Sequence, residues 1–221
     1  MLETIYFTRH GQRSDWLLKP GETLTYPTGL THDPTLSDHG RNQARELAAY
    51  LATNNIKLDS LYASPFYRTM ETANVVAETL DLQILAENGL GEWFNVGCKH
   101  APAPLEQLHS YFPRAHLPYN PIRIPSPNGE TLQDLHDRLS SVMNEMISRC
   151  DEADNVNTIM TVGHAATVIA GVRAVIGDRH ASVNCGTCTL TVAKRIEGKW
   201  KLITNGDASF LSKGEENNWA F

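Results

Sequence analysis

The sequence predicts an α/β fold: a three-layer α/β/α sandwich around a mainly parallel central sheet. Three observations carry this. Short β-branched or aromatic runs alternate with segments whose apolar residues repeat at helical spacing. One of these runs, Thr158-Ile159-Met160-Thr161-Val162, is apolar on both phases, as a strand covered on both faces requires. Three strand exits carry histidine and arginine where a core would carry Val, Ile or Leu, and such sheets bind ligands beyond the carboxyl ends of their strands.

In chain order, Thr4 to Thr8 reads as the first strand, ended by Arg9-His10-Gly11. A loop marked by Pro20-Gly21, Pro27 and Gly29 runs to Asp33-Pro34. Ser37 caps a helix with Ala44, Leu47, Ala48 and Leu51 on one face. Leu58 to Ala63 is a second strand. Ser64 then serves as N-cap and Pro65 as first helical residue of a helix through Arg68, Val75, Val76 and Leu80. Leu82 to Leu85 is a short edge-like strand.

Residues 94–127 interrupt the alternation. They hold seven of the 11 prolines, together with Phe94, Tyr111, Phe112, Tyr119 and three histidines. So many aromatics exclude a low-complexity linker and imply an ordered insertion or lid within one domain spanning 1–221. Thr131 and Asp134 form a capping-box-like pair opening a helix to Cys150, with Leu132, Leu135, Leu139, Val142, Met143 and Met146 on its core stripe. The buried strand follows, then Gly163-His164 and a helix to Gly177. Alternating strands over 187–193 and 200–203 close the chain.

The 221 residues, 41% hydrophobic and 20% charged, have an ordinary globular balance. A net charge of −6 with scattered basic residues offers no footprint for direct nucleic-acid binding. No apolar leader or membrane span is visible, and the four cysteines are too few for a disulfide framework, so reduced thiols in the cytosol or nucleus are expected. Cys185 and Cys188 read as core thiols: one such pair lacks the further ligands that zinc requires. No metal or cofactor site is expected.

The strand exits point to chemistry. Guanidinium forks match phosphate oxygens and keep their proton. The helices starting near Ser64 and after His164 direct free N–H groups at the same region. Arg9, Arg68 and these helix starts converge on a phosphoryl dianion. A neutral imidazole, His10 or His164, could attack phosphorus and form a phosphohistidine. Glu92, beside Trp93, is the candidate proton donor, its pKa raised if the indole limits hydration; the alternative is a solvated loop carboxylate.

Arg9-His10-Gly11, Ser64-Pro65-x-x-Arg68-x-x-x-Thr72 and the strand-terminal Gly163-His164 resemble the histidine phosphatase (phosphoglycerate mutase-like) superfamily over nearly the whole chain. The resemblance implies that His10 is the phosphorylated nucleophile. Arg9, Arg68 and His164 would hold the phosphoryl group, and Glu92 would be the proton donor. Asn128-Gly129-Glu130-Thr131 is similar to the family's Gly-Glu-Ser/Thr helix start.

Gln12-Arg13-Ser14-Asp15-Trp16 departs from the Glu-Ser continuation of cofactor-dependent mutases, which argues against a mutase. An Arg at that place resembles the branch of suppressor-of-T-cell-receptor-signalling and ecdysteroid-phosphate phosphatases. It implies Arg13 as a further phosphate ligand, against a plain surface salt bridge. The closing Phe-Leu-Ser-x-Gly-Glu-Glu-x-Asn-Trp-x-Phe is similar to a fungal subgroup that includes a phosphatase domain in an RNA polymerase III transcription factor C subunit. The expected substrate is a phosphorylated small molecule or phosphoprotein, with aryl phosphate or phosphotyrosine favoured by the aromatic surroundings. The rival reading is an assembly module with protein partners in a transcription complex; the intact His10, Glu92 and His164, and the end of the chain at Phe221, speak against it.

Overall fold

The computed structural model describes residues 1–221. In chain order its elements are β1 (Thr4–Arg9), α1 (Asp38–Thr53), β2 (Ser60–Ala63), α2 (Tyr67–Leu80), β3 (Ile84–Ala86) and α3 (Leu105–Tyr111). They continue with α4 (Leu132–Glu152), β4 (Thr158–Gly163), α5 (Ala165–Ile176), β5 (Leu190–Ile196) and β6 (Lys199–Asp207). The six strands form one sheet, ordered β3-β2-β4-β1-β5-β6. The first four in that order run parallel, while β5 and β6 are antiparallel additions at the β1 side.

Side chains alternate across the sheet and feed two cores. Met160 and Val162 pack with Leu47 and Leu51 of α1 and Met70 and Val76 of α2. Ile5, Phe7 and Ile159 pack with Leu139 and Val142 of α4 and Val168 and Ile169 of α5. No helix is long and apolar enough to cross a membrane. All four cysteines are free, and Cys185 and Cys188 are buried.

The expected caps at Ser37 and at Thr131 with Asp134 are present. The start of α2 differs from expectation. Helical geometry begins at Tyr67, with Phe66 rather than Ser64 at the cap position. The cause is tertiary. The Ser64 hydroxyl is taken by His164, and the buried Asp33 carboxylate accepts the Tyr67 N–H instead, 2.8 and 2.9 Å from its two oxygens. Strand β5 begins at Leu190 rather than 187, because Cys188 takes positive φ and the 187–189 amides bond to Glu216, Arg9 and Gly186.

Residues 94–127 carry α3, an element their sequence does not announce. Its return path is pinned by fully buried Glu87, which accepts hydrogen bonds from the Tyr119 hydroxyl and the Ile122 and Arg123 amides.

Candidate active site

Strand register aligns the chemistry. Arg9 pairs with Gly163, and Ala63 pairs with Val162. The residues that follow, His10, His164 and Ser64, therefore emerge together at the carboxyl edge of three adjacent parallel strands. Gly11 is required beside them: a Cβ there would lie 2.4 Å from the Gly40 carbonyl oxygen, so the loop after β1 packs backbone to backbone against α1.

His10 is buried, and its ring lies 5.4 Å from that of His164, edge to face. Nδ1 of His10 donates to the Gly11 carbonyl at 2.7 Å. This fixes the tautomer and leaves Nε2 as the free base. Burial, together with Arg68, Arg9 and His164, holds the His10 pKa well below the ordinary imidazole value. The ring is uncharged at neutral pH.

His164 Nε2 donates to Ser64 Oγ at 2.9 Å, and its Nδ1 accepts from Arg68 at 3.2 Å. Burial lowers its pKa to about 4, with Arg68 acting in the same direction and Glu92 opposing. His164 therefore enters the neutral-pH site uncharged.

Arg68 is fully buried. It contacts Asp33 Oδ1 at 3.2 Å and Glu92 Oε2 at 3.3 Å, and its Nε has no partner. Arg9 is also buried; its Nη1 donates to the carbonyls of Asn217 at 2.6 Å and Cys185 at 3.2 Å, and its Nε too is unpartnered. No carboxylate pairs with Arg9, so its charge remains available for an anion. Arg13 reaches the same cleft but forms a bidentate pair with Asp15 and stacks over Trp16.

Glu92 corrects one expectation. Burial alone would raise its pKa, as the sequence suggests. His164, Arg68 and the Trp93 amide outweigh burial and hold the carboxyl well below the usual range. Glu92 is therefore ionised at neutral pH. The Trp93 indole is turned away to bond the Glu130 carbonyl.

The six expected site residues thus gather, with Arg13 held by Asp15. Arg9, His10, Arg13, Glu92, Trp93 and Trp219 line one open cleft of about 220 Å³. Glu92 also borders a second, apolar cavity of about 150 Å³ walled by Phe66, Phe94, His100 and Ile124. Phe94 and His100 therefore line this cavity, where His100 stacks on His32.

Four supports escape sequence reasoning. Asp33 lies in a loop with no local signal. The Cys185 and Asn217 carbonyls belong to backbone, which sequence does not address. Arg138 did leave a signal: a charge between Leu135 and Leu139 on a buried stripe. It pairs with Glu130 inside the protein and donates to the Gly89 and Gly91 carbonyls, fixing the loop that presents Glu92.

Comparison with known proteins agrees with this architecture. The transcription factor tau 55 kDa subunit of Saccharomyces cerevisiae is 33% identical over an alignment covering 100% of this chain and 59% of that protein. The ecdysteroid-phosphate phosphatase of Drosophila melanogaster is 26% identical, over 90% of this chain and 31% of that protein. The chain thus spans less than two thirds of the length of these relatives. Among solved structures, the ecdysone phosphate phosphatase from Bombix mori in complex with tungstate superposes with a TM-score of 0.77 at 18% identity, covering 92% of this chain and 93% of that one. Residues 5–208 match the model of the histidine phosphatase superfamily (branch 1), and the chain belongs to that superfamily.

Proposed function

We propose that the protein hydrolyses phosphate monoesters, with aryl phosphates as the preferred class, through a phosphohistidine on His10. The observation that carries this is the His10 ring itself. The Gly11 carbonyl occupies Nδ1, so the unprotonated Nε2 faces a cleft bordered by Arg9, whose charge no carboxylate takes.

In the first step Nε2 attacks phosphorus and the P–O bond to the alcohol breaks. Arg9, Arg68 and His164 stabilise the equatorial oxygens, with Arg13 joining once it leaves Asp15. Glu92, ionised in the free site, accepts the proton that the substrate brings as the phosphate monoanion and passes it to the departing oxygen. In the second step water attacks phosphorus, Glu92 takes its proton back, and the N–P bond breaks to free His10.

No metal enters this scheme. His10, Glu92 and His164 do bring potential ligand atoms within 4.8 Å of one another. The Arg68 guanidinium, within 3.3 Å of both His164 and Glu92, already occupies the cationic position among them. Aryl preference is supported by Trp219 in the cleft and by Trp16, whose ring lies 6.0 Å from that of His10.

The test is turnover of an aryl phosphate by wild type and His10→Ala, with acid-quench trapping of phosphoenzyme and a parallel assay in chelator. The expected result is loss of at least ~10³-fold with no trapped phosphate in the variant, and unchanged wild-type rate in chelator. Equal turnover by both proteins would end the proposal.

A second reading rests on the 33% identity to the tau 55 kDa subunit: the domain serves a nuclear transcription assembly. Stoichiometric recovery with a larger complex, with function indifferent to His10→Ala, would favour it.

A further inference from the structure

The segment after β6, residues 215–221, lies past the end of the 5–208 family match, yet it runs beside the site. Glu216, Asn218 and Phe221 anchor it. Glu216 meets His39 and accepts from Gln43 Nε2 at 3.0 Å, while its carbonyl accepts the Thr187 N–H. Asn218 Oδ1 accepts the Cys185 N–H at 2.9 Å. Phe221 lies under the Arg173 guanidinium, 4.8 Å from its ring centre, and its carbonyl accepts from Arg173.

Two residues between these anchors turn toward the chemistry. Asn217, at φ 52°, points its carbonyl at Arg9, the shorter of that guanidinium's two backbone contacts. Trp219 lines the cleft beside Arg9 and His10, makes no hydrogen bond, and is 36% exposed. Its one ring neighbour is Phe221, at 5.2 Å. A large indole left open beside cationic groups gains most from a flat apolar ligand placed against it.

We propose that residues 215–221 are a strap completing the site: the Asn217 carbonyl seats Arg9 for the phosphoryl group, and the Trp219 indole is the wall that selects an aryl leaving group. This rests on the phosphatase reading above and names the residues that set its substrate class. The strap works in two separable ways. Loosening its anchor affects every phosphoryl ligand alike, because Arg9 loses its seat. Removing the indole affects only ligands that carry a ring.

The experiment is calorimetric binding of phenylphosphonate and methylphosphonate, neither of which can be hydrolysed, to the full chain and its variants. Wild type should bind phenylphosphonate more tightly. Trp219→Ala should shrink the phenyl-to-methyl affinity ratio about tenfold, the scale of one aromatic contact with its burial, while Trp219→Phe keeps it within about twofold. Glu216→Ala should weaken both ligands about equally, with the ratio unchanged. Should Trp219→Ala not fold, Trp219→Leu, which keeps an apolar contact to Phe221 without a flat ring, gives the same comparison.

An unchanged ratio in the Trp219 variants overturns the aryl wall. Full methylphosphonate affinity in Glu216→Ala overturns the seat. If wild type binds neither phosphonate, the phosphatase reading itself fails and the strap falls with it.

Discussion

His10 and Glu92 together set the direction of the pH dependence. The free site holds Glu92 ionised, so the proton that leaves with the alcohol must arrive with the substrate, as the phosphate monoanion. kcat/KM should therefore fall as pH rises through the second phosphate ionisation, near ~6. On the acid side His10 must be neutral to attack. Its depressed pKa keeps it neutral below the ordinary imidazole range, so the acid limb lies well below 6.5. A rate profile on an aryl phosphate checks both limbs. Glu92→Gln should cost ~10²-fold or more in kcat on alkyl phosphates, whose leaving oxygens need the proton, and less on acidic phenols. A uniform loss across a leaving-group series would remove Glu92 from the proton-transfer role.

Elements matter here through their ends. Helix α2 begins where it does because Asp33 accepts the Tyr67 amide, and the same carboxylate fixes Arg68. Asp33→Ala strips a buried cation of a partner and a helix of its cap. Urea unfolding should show a loss of ~3 kcal/mol, with weaker binding of orthophosphate. Helix α4 reaches the site by another route: Arg138 grips the Gly89 and Gly91 carbonyls just before Glu92. Arg138→Lys keeps the charge but cannot span Glu130 and both carbonyls with one planar fork. Its kcat should fall more on alkyl than on aryl phosphates, mirroring Glu92→Gln, while KM changes little. A loss independent of the leaving group would assign Arg138 to folding alone.

At the scale of the whole molecule, placing neutral imidazoles inside a cationic cluster links stability to acid. His164 has a pKa of about 4 when folded, against about 6.5 in an unfolded chain. Between those values the unfolded state binds more protons. The stability is fully present above 6.5 and is lost as pH falls toward 4, by ~1–3 kcal/mol from this residue. The depressed pKa of His10 acts in the same direction. Urea denaturation at pH 7 and pH 4.5 measures the loss, and His164→Gln should flatten it; equal slopes would show that other groups carry the acid sensitivity.

The order of strands and helices, the Ser37 and Thr131 caps, and the histidines and arginines at strand exits were legible from residue types and spacing alone. These are local properties: period, capping chemistry and the charge at a strand end act within a few residues. The start of α2 was not, because Asp33 is 34 residues from the amide it caps. Nor was the Glu92 pKa, whose sign depends on which of burial and a distant guanidinium prevails. Nor was the seat of Arg9, made by a backbone carbonyl 208 residues away. Residue types and spacing name the chemical groups that stand at the sheet's edge. Their protonation and orientation belong to the fold, because both are set by neighbours that the folded chain brings within a few ångströms.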